Sequence, residues 1–218
     1  MLQIVIPMAG KGQRFVDAGY KTWKPYLPMP GGRVMIDMVL QNVLPNQLHG
    51  VSFLTRDIVG ETSGAACTVL KVEDSIESWQ PLMIVNSDQL VDIDINDFIS
   101  FAEQFDACIM TFDEPNQDPR WSYVKTDNGK VIDVAEKDPI STEATVGIYY
   151  FRKAKTFFDA ARIMISKNDT TNGEFYVCPA FKYIEEGDNV MTYKIKREQF
   201  HGLGIPTDYE AYLKGSAF

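Results

Sequence analysis

The sequence is poor in the residues that hold transition metals and staple small domains. Only two of its 218 residues are histidine, His49 and His201, and three are cysteine, Cys67, Cys108 and Cys178. The cysteines are odd in number, far apart and in no CxxC spacing, which argues against a zinc site or a disulfide framework. No run of 18 apolar residues appears, so no membrane span is expected. An apolar strand pattern that starts at residue 2 leaves no room for the charged and apolar regions of a secretory leader, and the expected location is the cytoplasm. Positive charge is also scarce, with 21 Lys and Arg against 30 Asp and Glu, a net charge of −9. A chain this acidic lacks the basic surface that nucleic acids and anionic membranes require, so a small ligand is expected. The length suits one domain over residues 1–218, large enough to bury about 70% of its unfolded surface.

Against that acidic background, one segment is basic. Between positions 11 and 24, Lys11, Arg14, Lys21 and Lys24 face a single acid, Asp17, so the segment carries 4 − 1 = +3. It follows the β-rich run Ile4, Val5, Ile6 and contains Pro7, Met8, Ala9, Gly10, Lys11, Gly12, Gln13, Arg14. Glycines there allow a tight turn that brings bare N–H groups to a phosphate chain, and Arg14 adds a bidentate fork. The loop is neither of the familiar phosphate motifs: position 15, where a dinucleotide fingerprint needs glycine, is Phe15, and no Gly-Lys-Ser/Thr follows four spacers.

Strand-like runs recur at 2–7, 51–58, 82–86, 107–112, 121–126, 130–135, 145–151 and 189–195. Met35, Ile36, Val39, Leu40, Val43 and Leu44 recur at helical spacing until Pro45, and Phe157, Phe158, Ala161, Met164 and Ile165 do the same. Asp127-Asn128-Gly129 predicts a hairpin turn. Thr207 with Glu210 predicts a capping box on a short last helix. Strands alternating with helices, then hairpins, predict an α/β three-layer sandwich around a mixed, mostly parallel sheet.

Candidate chemistry lies at strand ends. Asp88 follows the buried-strand pattern 81–85, where open α/β sheets place ligands, and its carboxylate suits Mg²⁺. Glu136 and Lys137 close another strand; a glutamate there can take a hydroxyl or amine, and a lysine a phosphate. Gly147 interrupts a β-rich run, which means either close ligand approach or a bulge. Glu174 precedes Phe175 and Tyr176 in a loop that reads as leading into a helix.

The order of these signals, GxGxR, Lys24-Pro25, Gly64-Ala65-Ala66, Asp88, Glu136-Lys137, Gly147, Glu174-Phe175-Tyr176 and Gly204-x-Pro206-x-Asp208, resembles the sugar-nucleotide pyrophosphorylase type of nucleotidyltransferases. Within it, the chain is similar to compact bacterial enzymes of capsule and lipopolysaccharide synthesis, including cytidylyltransferases of non-sugar phosphates. The resemblance implies that backbone at Met8, Ala9, Gly10, Gly64 and Ala65 holds the base, that Gly12 and Arg14 bind the triphosphate and that Lys24 contacts the rearranging phosphates. It implies Mg²⁺ on Asp88, an acceptor pocket of Glu136, Gly147, Glu174 and Tyr176 walled by Trp121 and Tyr123, and Lys137 on the acceptor phosphate. The partners it implies are a nucleoside triphosphate, with cytidine favoured, and a small phosphorylated acceptor.

Two departures stand out. The position of a usual second metal-binding aspartate is Gly202, which leaves the metal to Asp88 with substrate oxygens and water, or to a neighbour such as Asp92 or Asp208, and the short connection between Leu48 and Val51 suggests a missing strand-helix unit after the first helix. Such a sheet edge would suit a homodimer. Rival readings are a nucleotide-sugar glycosyltransferase, for which Asp92-Ile93-Asp94 has metal-motif spacing, and a nucleotide-binding homologue without catalysis.

Overall fold

The computed structural model describes residues 1–215; residues 216–218 of the expected domain lie outside the described residues. Among the described residues, twelve strands and seven α-helices follow in chain order. The first half contains β1 (Leu2–Met8), α1 (Gln13–Asp17), β2 (Pro28–Met29), β3 (Arg33–Val34), α2 (Met35–Val43), β4 (His49–Thr55), α3 (Arg56–Val59), α4 (Ala65–Val69), β5 (Leu82–Val85), β6 (Gln89–Val91) and α5 (Ile95–Ala102). The second contains β7 (Ala107–Asp113), β8 (Ser122–Asp127), β9 (Lys130–Glu136), β10 (Glu143–Phe151), α6 (Ala154–Ser166), β11 (Val190–Ile195), β12 (Phe200–Gly202) and α7 (Pro206–Leu213).

One sheet organises the molecule, in the order β4-β1-β5-β10-β7-β11-β9-β8. Taking β1 as reference, β4, β5, β7, β8 and β11 run with it, while β10 and β9 run against it. Side chains alternate across the strands as their period of two requires. On β1, Ile4 and Ile6 enter one core with α2 and α5, while Val5 enters the other with α4 and α6. Tyr150 and Tyr149 of β10 divide in the same way. Two cores on opposite faces of one sheet make the three layers that the sequence predicts.

The fitted elements follow local signals. α2 stops before Pro45, and α6 buries Phe157, Phe158, Ala161 and Met164 on one stripe. Asn128 and Gly129 both take positive φ in the β8–β9 hairpin. Three expectations need correction. The strand drawn over 51–58 begins at His49 and ends at Thr55, where α3 takes over for one turn. The last helix begins with Pro206 at its first position and Ile205 as its N-cap, so Thr207 already lies inside and forms no capping box; proline's fixed φ and missing donor suit that first position. Glu174 forms an isolated bridge with Thr171 rather than opening a helix. Among the described residues nothing stands outside β4, which is the sheet's edge, and no helix is long and apolar enough to cross a membrane.

Candidate active site

The carboxyl ends of β1, β4 and β5 share one rim of the sheet, and the opposed strand β10 brings Gly147 to the same rim through a bond from the Asn86 N–H to the Gly147 carbonyl at 2.9 Å. Over that rim opens a cleft of about 600 Å³. A side lobe of about 280 Å³ continues beneath the β1 loop.

Two short segments wall the side lobe, and Lys24, Asp88, Glu174 and Tyr176 also line it. Met8, Ala9, Gly10 and Gly12 form one wall, and Thr62, Gly64, Ala65 and Thr68 form the other. Gly64 sits at φ +114°, and a Cβ there would lie 2.5 Å from the Phe175 carbonyl oxygen. That crowding arises because the 62–66 and 172–175 loops are zipped: Phe175 N–H donates to Ser63 O at 2.8 Å, and Ala66 N–H to Phe175 O at 3.0 Å. Thr62 and Thr68 hydroxyls meet at 2.6 Å, with Thr68 also reaching the Gly64 carbonyl at 3.1 Å.

The β1 loop turns at Gly12, φ +63°, directly before α1. Phe15, 2% exposed, anchors that helix in the core, while Lys11 and Arg14 stay on the cleft. Lys11 forms an ion pair with Glu61. Lys24 comes from a single 3₁₀ turn and forms an ion pair with Asp88 at 2.6 Å, both side chains partly buried. Asp88 follows β5, and the neighbouring Gly204 keeps the space above it bare: a Cβ at 204 would approach Asp88 Oδ2 to 3.0 Å.

The wider end of the cleft is built from side chains. Glu136 lies at the end of β9 and accepts a hydrogen bond from the Ser122 hydroxyl; burial, the leading cause, raises its carboxyl above the usual range. Lys137 is held at φ +56°, a left-handed conformation that costs a non-glycine residue about 1 kcal/mol. Its N–H donates to the Trp121 carbonyl at 3.0 Å, and its ammonium donates to the Tyr176 hydroxyl. Burial first, then the hydrogen bond to Glu174, raises the Tyr176 phenol. Lys137, Tyr176 and Glu174 thus form a polar chain along one wall.

Most of the residues expected from sequence therefore meet at one cleft and its side lobe: Met8, Ala9, Gly10, Gly12, Arg14, Lys24, Gly64, Ala65, Asp88, Trp121, Glu136, Lys137, Gly147, Glu174 and Tyr176. Tyr123 does not. It is fully buried in the core, its hydroxyl donates to the Asp118 carbonyl at 2.8 Å, and burial pushes its phenol up to about 12. The alternation along β8 that puts Ser122 on the cleft turns Tyr123 away. Gly147, at φ +94°, lies in a register shift of the β10–β7 ladder, and a Cβ there would strike Asn86 Nδ2 at 2.4 Å. Packing against Asn86 and Gln89 accounts for this glycine without a ligand.

The alternative metal carboxylates are engaged in other contacts. Asp92 pairs with His201 at 2.8 Å, and its side chain is 68% exposed; Asp94 caps α5 by accepting from the Asn96 N–H at 2.9 Å. Neither lines the cleft, so the Asp-x-Asp spacing there serves folding. Asp208 pairs with Arg120 at 2.6 Å. Gly202 has no room for a side chain, because a Cβ would lie 2.8 Å from the Trp121 ring. Among the described residues no group of three His, Cys, Asp or Glu could hold a metal. Asp88 alone fits Mg²⁺ only in the manner of an ion that shares its shell with water and substrate phosphates.

Sequence reasoning missed Asn86, Gln89, Thr62, Ser122 and Arg120, all on the cleft. Asn86 directly follows a strand that was recognised, and Arg120 precedes a recognised strand entry; position at the rim was their one available signal.

The sequence profile described as nucleotidyl transferase matches residues 56–211, well over half of the chain. No curated protein matches it. Solved structures share the fold. A nucleoside-diphosphate-sugar pyrophosphorylase from Vibrio cholerae RC9 superposes with a TM-score of 0.81 at 24% identity, covering 97% of this chain and 99% of that one. The UTP-bound UGPase from Acinetobacter baumannii gives 0.77 at 16% identity, covering 99% and 93%. The inositol-1-phosphate CTP transferase from T. maritima gives 0.66 at 12% identity, covering 94% and 90%. With the profile match over most of the cleft-forming sequence and this shared fold, the chain belongs to the nucleotidyl transferase family.

Proposed function

We propose that the protein joins a nucleoside triphosphate to a small phosphorylated acceptor, releasing pyrophosphate. The observation that carries this reading is the meeting, in one cleft, of a glycine loop with Arg14, the Lys24–Asp88 pair and the Glu136–Lys137–Tyr176–Glu174 wall. The base goes to the side lobe, where Met8, Ala9, Gly10, Gly64 and Ala65 can offer main-chain groups. CTP is favoured by resemblance to the cytidylyltransferases, and a role in cell-surface polysaccharide synthesis comes from the same resemblance.

The reaction is in-line attack by an acceptor phosphate oxygen on the α-phosphorus. The bond to the β-phosphate breaks, and pyrophosphate leaves with its electron pair. Two anions must be brought together, so the main contribution of the protein is alignment and charge. Arg14 holds the triphosphate, Lys24 turns from Asp88 to the phosphates undergoing exchange, and Lys137 holds the acceptor phosphate. Glu136 and Glu174 orient hydroxyl or amine groups of the acceptor. Asp88 would hold Mg²⁺ with substrate oxygens, and that ion would supply further neutralisation of phosphate charge. The exposed β4 edge makes a homodimer part of this reading.

The test is pyrophosphate release from CTP, UTP, dTTP, GTP and ATP against sugar 1-phosphates, phosphocholine and amino-acid-derived phosphates, with Mg²⁺. Release with one triphosphate and one acceptor is expected. Release of a nucleoside diphosphate from a nucleotide sugar would instead establish glycosyl transfer, and tight triphosphate binding with silence across the panel would count against catalysis.

A further inference from the structure

Arg120 lines the cleft and was not singled out by any motif. Its own N–H donates to Asp118 Oδ1 at 3.0 Å, fixing the turn before β8. Its guanidinium carbon lies 4.6 Å from the centroid of the Trp121 ring. Nη1 donates to Asp208 Oδ2 at 2.6 Å, and Nε lies 2.8 Å from Asp118 Oδ2 without the geometry of a hydrogen bond. The side chain is one-quarter exposed, 25%. Asp208 is only 8% exposed, and desolvation, the leading cause, raises its carboxyl despite the nearby arginine.

A surface arginine ordinarily samples many rotamers. Here a stacked ring and two carboxylates hold it in one place, at the expense of desolvating Asp208. A guanidinium carries five N–H donors in a planar fork, and these contacts leave donors unused. The backbone next to it is bare, since Gly202 lies under Trp121 and Gly204 beside Asp88. Arg120, Lys137 and the Lys24–Asp88 pair all line this one cleft.

We infer that Arg120 is a specificity-determining residue that grips the phosphate monoester of the acceptor, facing Lys137 as a second cation, with Asp208 as its positioning residue. This rests on the function proposed above. A phosphate monoester carries nearly two negative charges at neutral pH, and one ammonium balances only part of that. The planar fork also selects a tetrahedral oxyanion over a single point charge.

The test uses two base-independent probes without metal: tripolyphosphate for the Arg14 loop, and methyl phosphate for the acceptor end once tripolyphosphate is saturating. Binding is read from the Nε resonances of ¹⁵N-arginine-labelled protein, assigned through substitution. The expected result is that methyl phosphate shifts the Arg120 signal and that R120A and R120Q weaken methyl phosphate at least tenfold while changing tripolyphosphate less than twofold. D208N, which keeps an acceptor for Nη1 but removes a negative charge, should bind methyl phosphate more tightly than the parent. Unchanged methyl phosphate affinity in folded R120A or R120Q overturns the inference. If R120A and R120Q both fail to fold, a D208N protein with weaker or unaltered methyl phosphate binding overturns it. If Arg14→Ala leaves tripolyphosphate binding intact, the nucleotidyl-transfer reading fails by itself, and the Arg120 fork stands or falls on methyl phosphate alone.

Discussion

The two ends of the cleft are made differently. The side lobe beneath the β1 loop is walled by two glycine-bearing segments, 8–12 and 62–68, with Gly64 so close to Phe175 that no Cβ fits. The wider end is lined by Glu136, Lys137, Arg120 and Trp121, and Glu174 and Tyr176 reach both ends. Main-chain donors are supplied by any sequence that can make the turn, so the first end is fixed by shape. Side chains can be exchanged without altering the turn, so the second end is where substrates can diverge. Gly202 under Trp121 and the Arg120–Asp208 pair both lie at the side-chain end.

The strongest way to break this contrast is at the basic loop joining the two ends. Arg14→Ala should lower turnover roughly a hundredfold or more, as removal of single oriented donors does elsewhere, with an unchanged melting curve because the side chain is exposed. A near-normal rate would remove Arg14 from the reaction. Next, Gly64→Ala meets backbone as well as an unfavourable φ and should cost about 1–3 kcal/mol or more in urea unfolding. Gly173→Ala, at φ +76° with open space around it, should cost only about 1 kcal/mol. Equal losses would mean that the packing of the main-chain lobe is not the constraint.

Lys137 sharpens the other side. Lys137→Gly should relieve the left-handed strain and raise stability by about 1 kcal/mol, while acceptor binding falls. A less stable glycine variant would mean that the ammonium's bond to Tyr176 outweighs the strain. The smallest effect concerns Glu136. Burial raises its carboxyl in the folded state, so the native protein keeps a proton that the unfolded chain has already lost. Stability from this group is full below the ordinary carboxylate value and is lost as pH rises through the raised one. The melting temperature of Glu136→Gln minus that of the parent should therefore increase across that interval; a flat difference would contradict the burial argument.

Much of this was legible in the sequence because period and turn chemistry carried it. The continuous apolar runs within Leu2–Met8 and Leu82–Val85, the helical stripe before Pro45 and the Asn128-Gly129 turn place the elements, and their rim places Arg14, Lys24, Asp88 and Lys137 on one cleft. The misses have physical causes. Tyr123 was drawn to the pocket because Trp121 stands two residues earlier, yet Trp121 precedes the strand and Tyr123 alternates into the core. The run over 51–58 reads as one apolar strand, but pairing with β1 ends at Thr55. Arg120 and Asp208 are 88 positions apart, and only the tertiary fold pairs them.

The most direct test of the account follows oxygen. An acceptor substrate labelled with ¹⁸O in its phosphate should carry all its label into the nucleotide-linked product, with the pyrophosphate unlabelled and formed in equal amount. Label in pyrophosphate or in free phosphate would contradict attack by the acceptor on the α-phosphorus, and with it the assignment of the two ends of the cleft.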